Sequence, residues 1–263
     1  MRAAILQARL AGLAPVERLN RLAGALEAEP VDLMVCAELF MSGYDVGDAL
    51  AALAEPADGP FAREVAALAR SFNTAIAYGY PEAADGVVYN AAACIDAAGN
   101  LVANHRKLML PPGFEKDHFA TGDAETVFDL GDMRLALLIC YDAEYPEAVR
   151  SAATSGAHAV IVPTALGADW GSVSKQLIPT RAFENGVWLL YANHAGEEGA
   201  TQFFGGSCIV APDGSDAVRA SDGEEIIAAN LDIDRVLRAQ ARLPYVEDAA
   251  RLRGLFAADD EDL

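Results

Sequence analysis

The chain has 263 residues, 53% of them hydrophobic, at a mean hydropathy of +0.17. That is enough for one large core, and it excludes disorder, collagen-like repeats and a coiled coil. No apolar run reaches the roughly 20 residues of a spanning helix, and 19 basic against 39 acidic residues, formally −20, make a surface that repels nucleic acid and anionic membranes.

The opening Met-Arg-Ala-Ala-Ile-Leu-Gln lacks the apolar core of a signal peptide and reads as a first strand, so a soluble cytoplasmic protein is expected. Short runs rich in Val, Ile, Leu and Ala then place strands at 2–10, 31–36, 74–79, 87–95, 101–106, 126–130, 134–139, 158–162, 187–192, 207–210 and 225–231. Helical periodicity falls at 15–28, 61–72, 146–155, 172–185 and 233–241. Alternation of the two types over the first 195 residues predicts an α/β layered fold. The Asp-Ala-Ala-Gly-Asn turn at 96–100 joins two strands into a hairpin, which makes the sheet mixed. No linker, repeat or low-complexity tract interrupts the chain. Residues 1–255 read as a single domain, and 256–263, with Asp259, Asp260, Glu261 and Asp262, as an acidic flexible tail.

Four scattered cysteines (Cys36, Cys94, Cys140, Cys208) form no C-x-x-C pair, and no two of the four histidines stand at i, i+4. Neither a zinc site nor a disulfide scaffold is indicated, and no metal or cofactor is expected. Cys140 is different from the other three. It ends an apolar strand, and Pro146 six residues on suits the first turn of a helix. A thiol at that place meets a helix N-terminus, whose dipole lowers thiol pKa and whose free N–H groups can receive an oxyanion; a buried structural cysteine is the alternative.

A thiol nucleophile needs a base. His158 and His194 stand at strand ends and read as satisfied core or loop residues. Glu38 follows the second strand among Leu39, Phe40 and Met41, where desolvation would raise its pKa toward the range of a general base. Lys107, one of only three lysines, is followed by Leu108, Met109 and Leu110; a snorkelling surface lysine is the alternative.

Glu38 in Ala-Glu-Leu-Phe-x-x-Gly-Tyr, Lys107 in Arg-Lys-x-x-Leu and Cys140 in Ile-Cys-Tyr-Asp-x-Glu-Tyr-Pro-Glu together resemble the signature blocks of the nitrilase superfamily of carbon–nitrogen hydrolases. The resemblance extends through Val162-Pro163-Thr164-Ala165, Arg181–Asn185, Asn193 and the Gly-Gly-Ser stretch from Gly205, nearly the whole chain. It implies a four-layer α-β-β-α sandwich with mixed sheets, a Glu-Lys-Cys triad, a small-molecule amide as partner and a homodimer or higher homo-oligomer. On this resemblance Glu38 is the base, Cys140 the nucleophile and Lys107, with the Tyr141 N–H, the oxyanion holder. Glu115, in Glu-Lys-Asp-His-Phe, is carried over as a substrate-positioning or assisting acid.

Cys140-Tyr141-Asp142 resembles the amidase form, where nitrilases typically carry Cys-Trp-Glu. Superfamily members acting on anionic substrates often have arginine at the position of Glu144. If Glu144 faces the pocket it would repel a carboxylate and favour neutral or amine-bearing amides; capping the next helix or pairing with an arginine is the other reading. Tyr141 and Trp170 are the aromatic candidates for substrate contact. An ω-amidase or N-carbamoyl amidohydrolase is the alternative within the superfamily, ahead of a nitrilase or a non-catalytic binding relative. A nicotinamidase-like reading lacks its acid in the first strand, and an N-acyltransferase lacks its membrane spans.

Overall fold

The computed structural model describes residues 1–47 and 49–260, with side chains to residue 255. In chain order the elements are β1 (Arg2–Gln7), α1 (Pro15–Ala28), β2 (Leu33–Val35), α2 (Ala49–Leu53), α3 (Pro60–Phe72), β3 (Ala75–Ala84), β4 (Val87–Ile95), β5 (Leu101–Arg106), α4 (Phe114–His118), β6 (Thr126–Leu130), β7 (Met133–Leu137), α5 (Pro146–Thr154), β8 (Ala159–Pro163), α6 (Ile178–Asn185), β9 (Trp188–Ala192), β10 (Glu197–Glu198), β11 (Thr201–Gln202), β12 (Cys208–Val210), β13 (Asp216–Arg219), β14 (Glu225–Asn230), α7 (Ile233–Arg242) and α8 (Tyr245–Asp260).

Two six-stranded mixed sheets stack on each other. Their strand orders are β14-β1-β2-β3-β4-β5 and β13-β12-β9-β8-β7-β6. Each has three parallel strands at its centre (β1-β2-β3; β7-β8-β9) joined by helical crossovers, and antiparallel strands outside. The period-2 alternation of side chains sorts the core into three layers. Ala3, Ile5, Leu33 and Val35 meet Leu135, Leu137, Ile161 and Leu190 between the sheets. On the other face of the first sheet, Ala4, Leu6 and Met34 pack on Leu22 and Leu26 of α1 and Phe61, Val65 and Ala69 of α3. On the outer face of the second, Ala136, Val160, Leu189 and Val210 pack on Val149 of α5 and Ile178 and Ala182 of α6. This is the α-β-β-α sandwich. Among the described residues no helix is long and apolar enough to cross a membrane.

Several boundaries shift from those expected. β3 runs on past Gly79 to Ala84 and turns through Asp85 and Gly86, both at positive φ, into β4. The breakers Gly79 and Pro81 hide that extension from pattern reading. β2 ends at Val35, so on that side the far half of β3 borders only a bridge to Glu55, an edge where a missing N–H is tolerated, while β4 pairs along the other side. The helix expected at 172–185 begins as a single π turn at Val173–Leu177 and continues as α6. α2, α4, β10, β11, β13 and α8 add to the expected elements; α8 reaches Asp260, and residues 261–263 lie outside the described residues.

Candidate active site

The C-terminal ends of parallel strands are where an open α/β sheet leaves room for chemistry, and both sheets contribute there. Glu38 follows β2 of the first sheet, with Lys107 after β5 and Glu115 on α4; Cys140 follows β7 of the second. Both turns are conformationally demanding. Leu39, next to Glu38, has φ 49°, and Cys140 itself has φ 45°, a region that costs a non-glycine residue of order 1 kcal/mol or more.

The loop of Glu38 lies directly on β3. A Cβ built on Gly79 would stand 2.3 Å from Leu39 N and 2.7 Å from Glu38 Cα, so only glycine allows this approach. We expect Gly79→Ala to move the Glu38 backbone and lower turnover about 100-fold, since ångström-scale misplacement of a reacting group costs that much. Steady-state kinetics beside a far-UV CD melt would check it; turnover within twofold of the parent would contradict the assignment.

Lys107 is completely buried rather than snorkelling, and its ammonium joins two buried carboxylates. Its Nζ donates to Glu38 Oε1 at 2.7 Å and to Glu115 Oε1 and Oε2 at 2.7 and 2.6 Å. Asn90 of β4 binds both acids, donating from Nδ2 to Glu38 Oε1 at 2.7 Å and more weakly to Glu115 Oε2 at 3.3 Å. Tyr44 donates its hydroxyl to Glu115 Oε1 at 2.8 Å. One oxygen stands apart: Glu38 Oε2 is buried and takes no hydrogen bond among the described residues.

Two acids and one ammonium leave an excess negative charge, and burial decides how it is carried. Desolvation pushes the Glu38 carboxyl up to about 7, helped by Glu115 and opposed by Lys107 and Asn90. Burial alone would discharge Lys107, but Glu38, Cys140 and Glu115 outweigh it and hold the ammonium above its ordinary pKa. The half-buried Cys140 thiol is also pushed up, by desolvation and then by Glu38, with Lys107 and the Thr164 hydroxyl pulling the other way. This corrects the expectation of a dipole-lowered thiol. A short 3₁₀ turn, Cys140–Glu144, intervenes before α5, and nearby carboxylates outweigh what partial charge it offers.

The surrounding side chains fix the two turns. Asp142, fully buried, accepts from Ile139 N at 3.1 Å on one oxygen and from Leu108 N and Met109 N at 3.1 and 2.8 Å on the other, tying the Cys140 turn to the segment after Lys107. His105 lies 3.3 Å from the same carboxylate. His194 is no base: burial lowers its pKa to about 4, so it is neutral and donates from Nε2 to the Glu38 carbonyl at 2.7 Å. Asn193 holds the loop through Leu166 and Gly205. The supporting part played by Asn90 has no signal in residue spacing, because it arises from pairing across strands; Tyr44 and Asp142 stand within the Glu38 and Cys140 blocks, and their bonds to Glu115, Leu108 and Met109 reach distant parts of the chain.

Of the remaining sequence candidates, Tyr141 is half-buried with its ring edge-on to Tyr145 at 5.1 Å. Glu144 is half-buried and its carboxyl pKa is raised by burial against the pull of Lys107 and Arg181. Its side chain caps no helix and makes no ion pair among the described residues; Arg181 binds its backbone carbonyl instead, at 2.6 Å. Trp170 stands 65% exposed on the turn Ala168–Trp170 and takes no part in the carboxylate network. Among the described residues no cluster of His, Cys, Asp and Glu could hold a metal ion.

The carbon-nitrogen hydrolase family model matches residues 2–241. A protein described as a hydrolase in the pqqF 5′ region of Pseudomonas protegens is 40% identical over 236 residues, 89% of this chain and 82% of its own. An (R)-stereoselective amidase from a Pseudomonas species is 33% identical, covering 84% and 80%. A variant of the amidase from Nesterenkonia sp. AN1, solved in complex with butyramide, superposes with a TM-score of 0.82 at 32% identity, covering 92% of this chain and 95% of that one. The chain is a member of the carbon–nitrogen hydrolase family and an amidase-like hydrolase of the nitrilase superfamily.

Proposed function

We propose that the protein is an amidase that hydrolyses small neutral or amine-bearing carboxamides to the carboxylic acid and ammonia through a thioester on Cys140. The observation that carries this is the division of labour at Glu38. One oxygen is held by Lys107 and Asn90, and the other is buried and free to take a proton. The thiol is neutral near pH 7, so its proton leaves as sulfur attacks. Glu38 takes that proton while Cys140 Sγ bonds to the amide carbon, and the oxyanion is held by Lys107 Nζ and the Tyr141 N–H. Collapse breaks the C–N bond, with Glu38 returning the proton so that ammonia departs. Glu38 then deprotonates water, which attacks the thioester and releases the acid and the thiol.

Glu115 keeps Lys107 charged and in place, and with Tyr44 borders the substrate. Glu144, half-buried and without an ion pair among the described residues, disfavours substrates bearing a carboxylate, and Tyr141 and Trp170 contribute contact surface. The butyramide complex of the Nesterenkonia relative supports a small uncharged amide, and the stereoselective Pseudomonas relative supports a pocket that distinguishes hands. A second copy of the chain is the partner we propose.

The test is ammonia release from propionamide, butyramide, carbamoyl amino acids, 2-oxoglutaramate and nitriles, with Cys140→Ala as control. We expect release from the neutral amides that falls to background in the variant, at least 10³-fold. Hydrolysis of the oxoglutaramate ahead of propionamide would overturn the assignment to Glu144. Undiminished release by Cys140→Ala would overturn the nucleophile.

A further inference from the structure

A second buried ion pair lies outside the set of groups just assigned. Arg18 of α1 is 1% exposed and Glu198 of β10 is 6% exposed, and Arg18 Nη2 donates to Glu198 Oε1 at 3.0 Å. Burying two such charges costs more than their attraction returns unless their other donors and acceptors are met, so a pair of this kind is poor evidence for stability in itself. Here the remaining groups bind one loop. Arg18 Nη1 donates to Phe40 O at 3.2 Å, two residues beyond Glu38, and Arg18 Nε to Leu13 O at 2.9 Å. Glu198 Oε2 accepts from the backbone of Tyr44 at 2.5 Å and of Asp45 at 3.1 Å. Tyr44 then donates its hydroxyl to Glu115.

The loop is built around that pair. Gly43 has φ 95°, and a Cβ there would lie 2.5 Å from Glu198 Oε1 and 2.9 Å from Arg18 Nη2. Asp45 Oδ2 reaches back to the hairpin, accepting from Ala200 N at 2.8 Å and Thr201 Oγ1 at 3.1 Å. The Tyr44 ring is edge-on to Phe203, 6.5 Å between centroids, and Phe203 stacks on His194 at 4.8 Å.

We propose that Arg18 and Glu198 are positioning residues, an ion pair that holds the 40–45 loop so that Tyr44 donates to Glu115 and the two site carboxylates keep their separate roles. This rests on the amidase reading for its effect on turnover, but not for its effect on Cys140. With the Tyr44 hydroxyl displaced, the carboxylate pair loses a donor and its shared proton affinity rises. The base is then available only at higher pH.

Glu198→Gln removes the charge and cannot accept from both Arg18 and the two backbone N–H groups. We expect kcat for propionamide to fall about tenfold with KM changed less, the size of effect a mispositioned acid–base group produces. Tyr44→Phe should have a similar effect, and the double variant should lose no more than the worse single, because both act through one hydrogen bond. The pH dependence of iodoacetamide alkylation gives a substrate-free readout, since Cys36, Cys94 and Cys208 are buried and Cys140 is not. Its acid limb should move up in Glu198→Gln and Tyr44→Phe alike. Arg18→Lys keeps the charge but gives up the bonds to Leu13 and Phe40. It should show the same shift in smaller measure, and serves if the glutamine variant does not fold.

A wild-type pH profile in the folded variants with only a lowered melting temperature would reduce the pair to scaffolding and overturn the proposal. Losses that multiply in the double variant would overturn it too. Failure of the amidase reading would appear separately, as parent protein inert toward amides with its alkylation profile intact.

Discussion

Glu38→Gln is expected to abolish amide hydrolysis, by 10³-fold or more, and at the same time to make the protein more stable above pH 7. The substitution is isosteric. An amide oxygen can still accept from Lys107 and Asn90, and the cluster loses its excess negative charge because Glu115 remains to balance Lys107. The sign follows from the raised carboxyl. Below pH 4.5 the folded and unfolded chains both carry the proton. Between 4.5 and about 7 the unfolded chain gives it up while the folded one retains it, so this group's contribution to stability falls as pH rises. Above 7 the deficit is complete, at most about 3 kcal/mol for a shift of this size. Thermal melts of parent and variant at pH 5 and pH 8 measure it. The variant should gain several degrees at pH 8 and little at pH 5. A loss of stability at pH 8 would show that the carboxylate is held without strain.

Lys107→Met should act in the opposite direction on stability. Methionine fills the space of the side chain but leaves Glu38 and Glu115 buried side by side with no counter-charge. Breaking a buried pair in this way costs about 3–5 kcal/mol. The loss should be largest at pH 8 and smaller at pH 5, where the carboxylates take up protons. Turnover should fall by 10³ or more, because the oxyanion loses its cation as the base loses its orienting bond. Denaturant titrations at the two pH values, beside single-turnover ammonia release, separate the two losses. A variant as stable as the parent at pH 8 would mean that the acids are already neutral there, which contradicts the charge balance described for the site.

These opposite expectations come from one cluster, and its membership was only partly legible in the sequence. Glu38 and Cys140 are marked by the apolar strands they follow or end, Lys107 by the apolar residues after it, and Glu115 by the family resemblance alone. Asn90 sits in the Val-Val-Tyr-Asn-Ala-Ala-Ala-Cys-Ile strand with no local mark. Only the pairing of β3, β4 and β5 brings it between two acids. Tyr44 enters the sequence reading only as the last residue of the Glu38 block, and its hydroxyl meets Glu115 through a loop held by the distant Glu198. The thiol's raised pKa was misjudged for a related reason. A dipole argument uses neighbours along the chain, and burial among acids depends on neighbours across it.

The fold divides along the same line. Strands rich in Val, Ile and Leu and helices with a clean apolar stripe, such as α3 with Phe61, Val65 and Ala69 on one face, were readable from pattern alone. α8 was not. Its described side chains from Tyr245 to Leu255 are largely exposed, a glycine interrupts it at position 254, and no apolar face distinguishes it from a loop.

The pairing of β14 with β1 sets an order of events during synthesis. β1 leaves the ribosome long before β14, so its outer edge, from Arg2 to Gln7, is completed only when Glu225–Asn230 arrives. At about 5–20 residues per second that wait is roughly ten to forty seconds. Through it a bare strand edge awaits β14, while the apolar inner face of the first sheet awaits the second. The nucleophile and its base, Cys140 and Glu38, both emerge within that interval, on different sheets. A nascent chain therefore has no assembled site until the two sheets have come together, and the time before that is the interval in which chaperones have the most to cover.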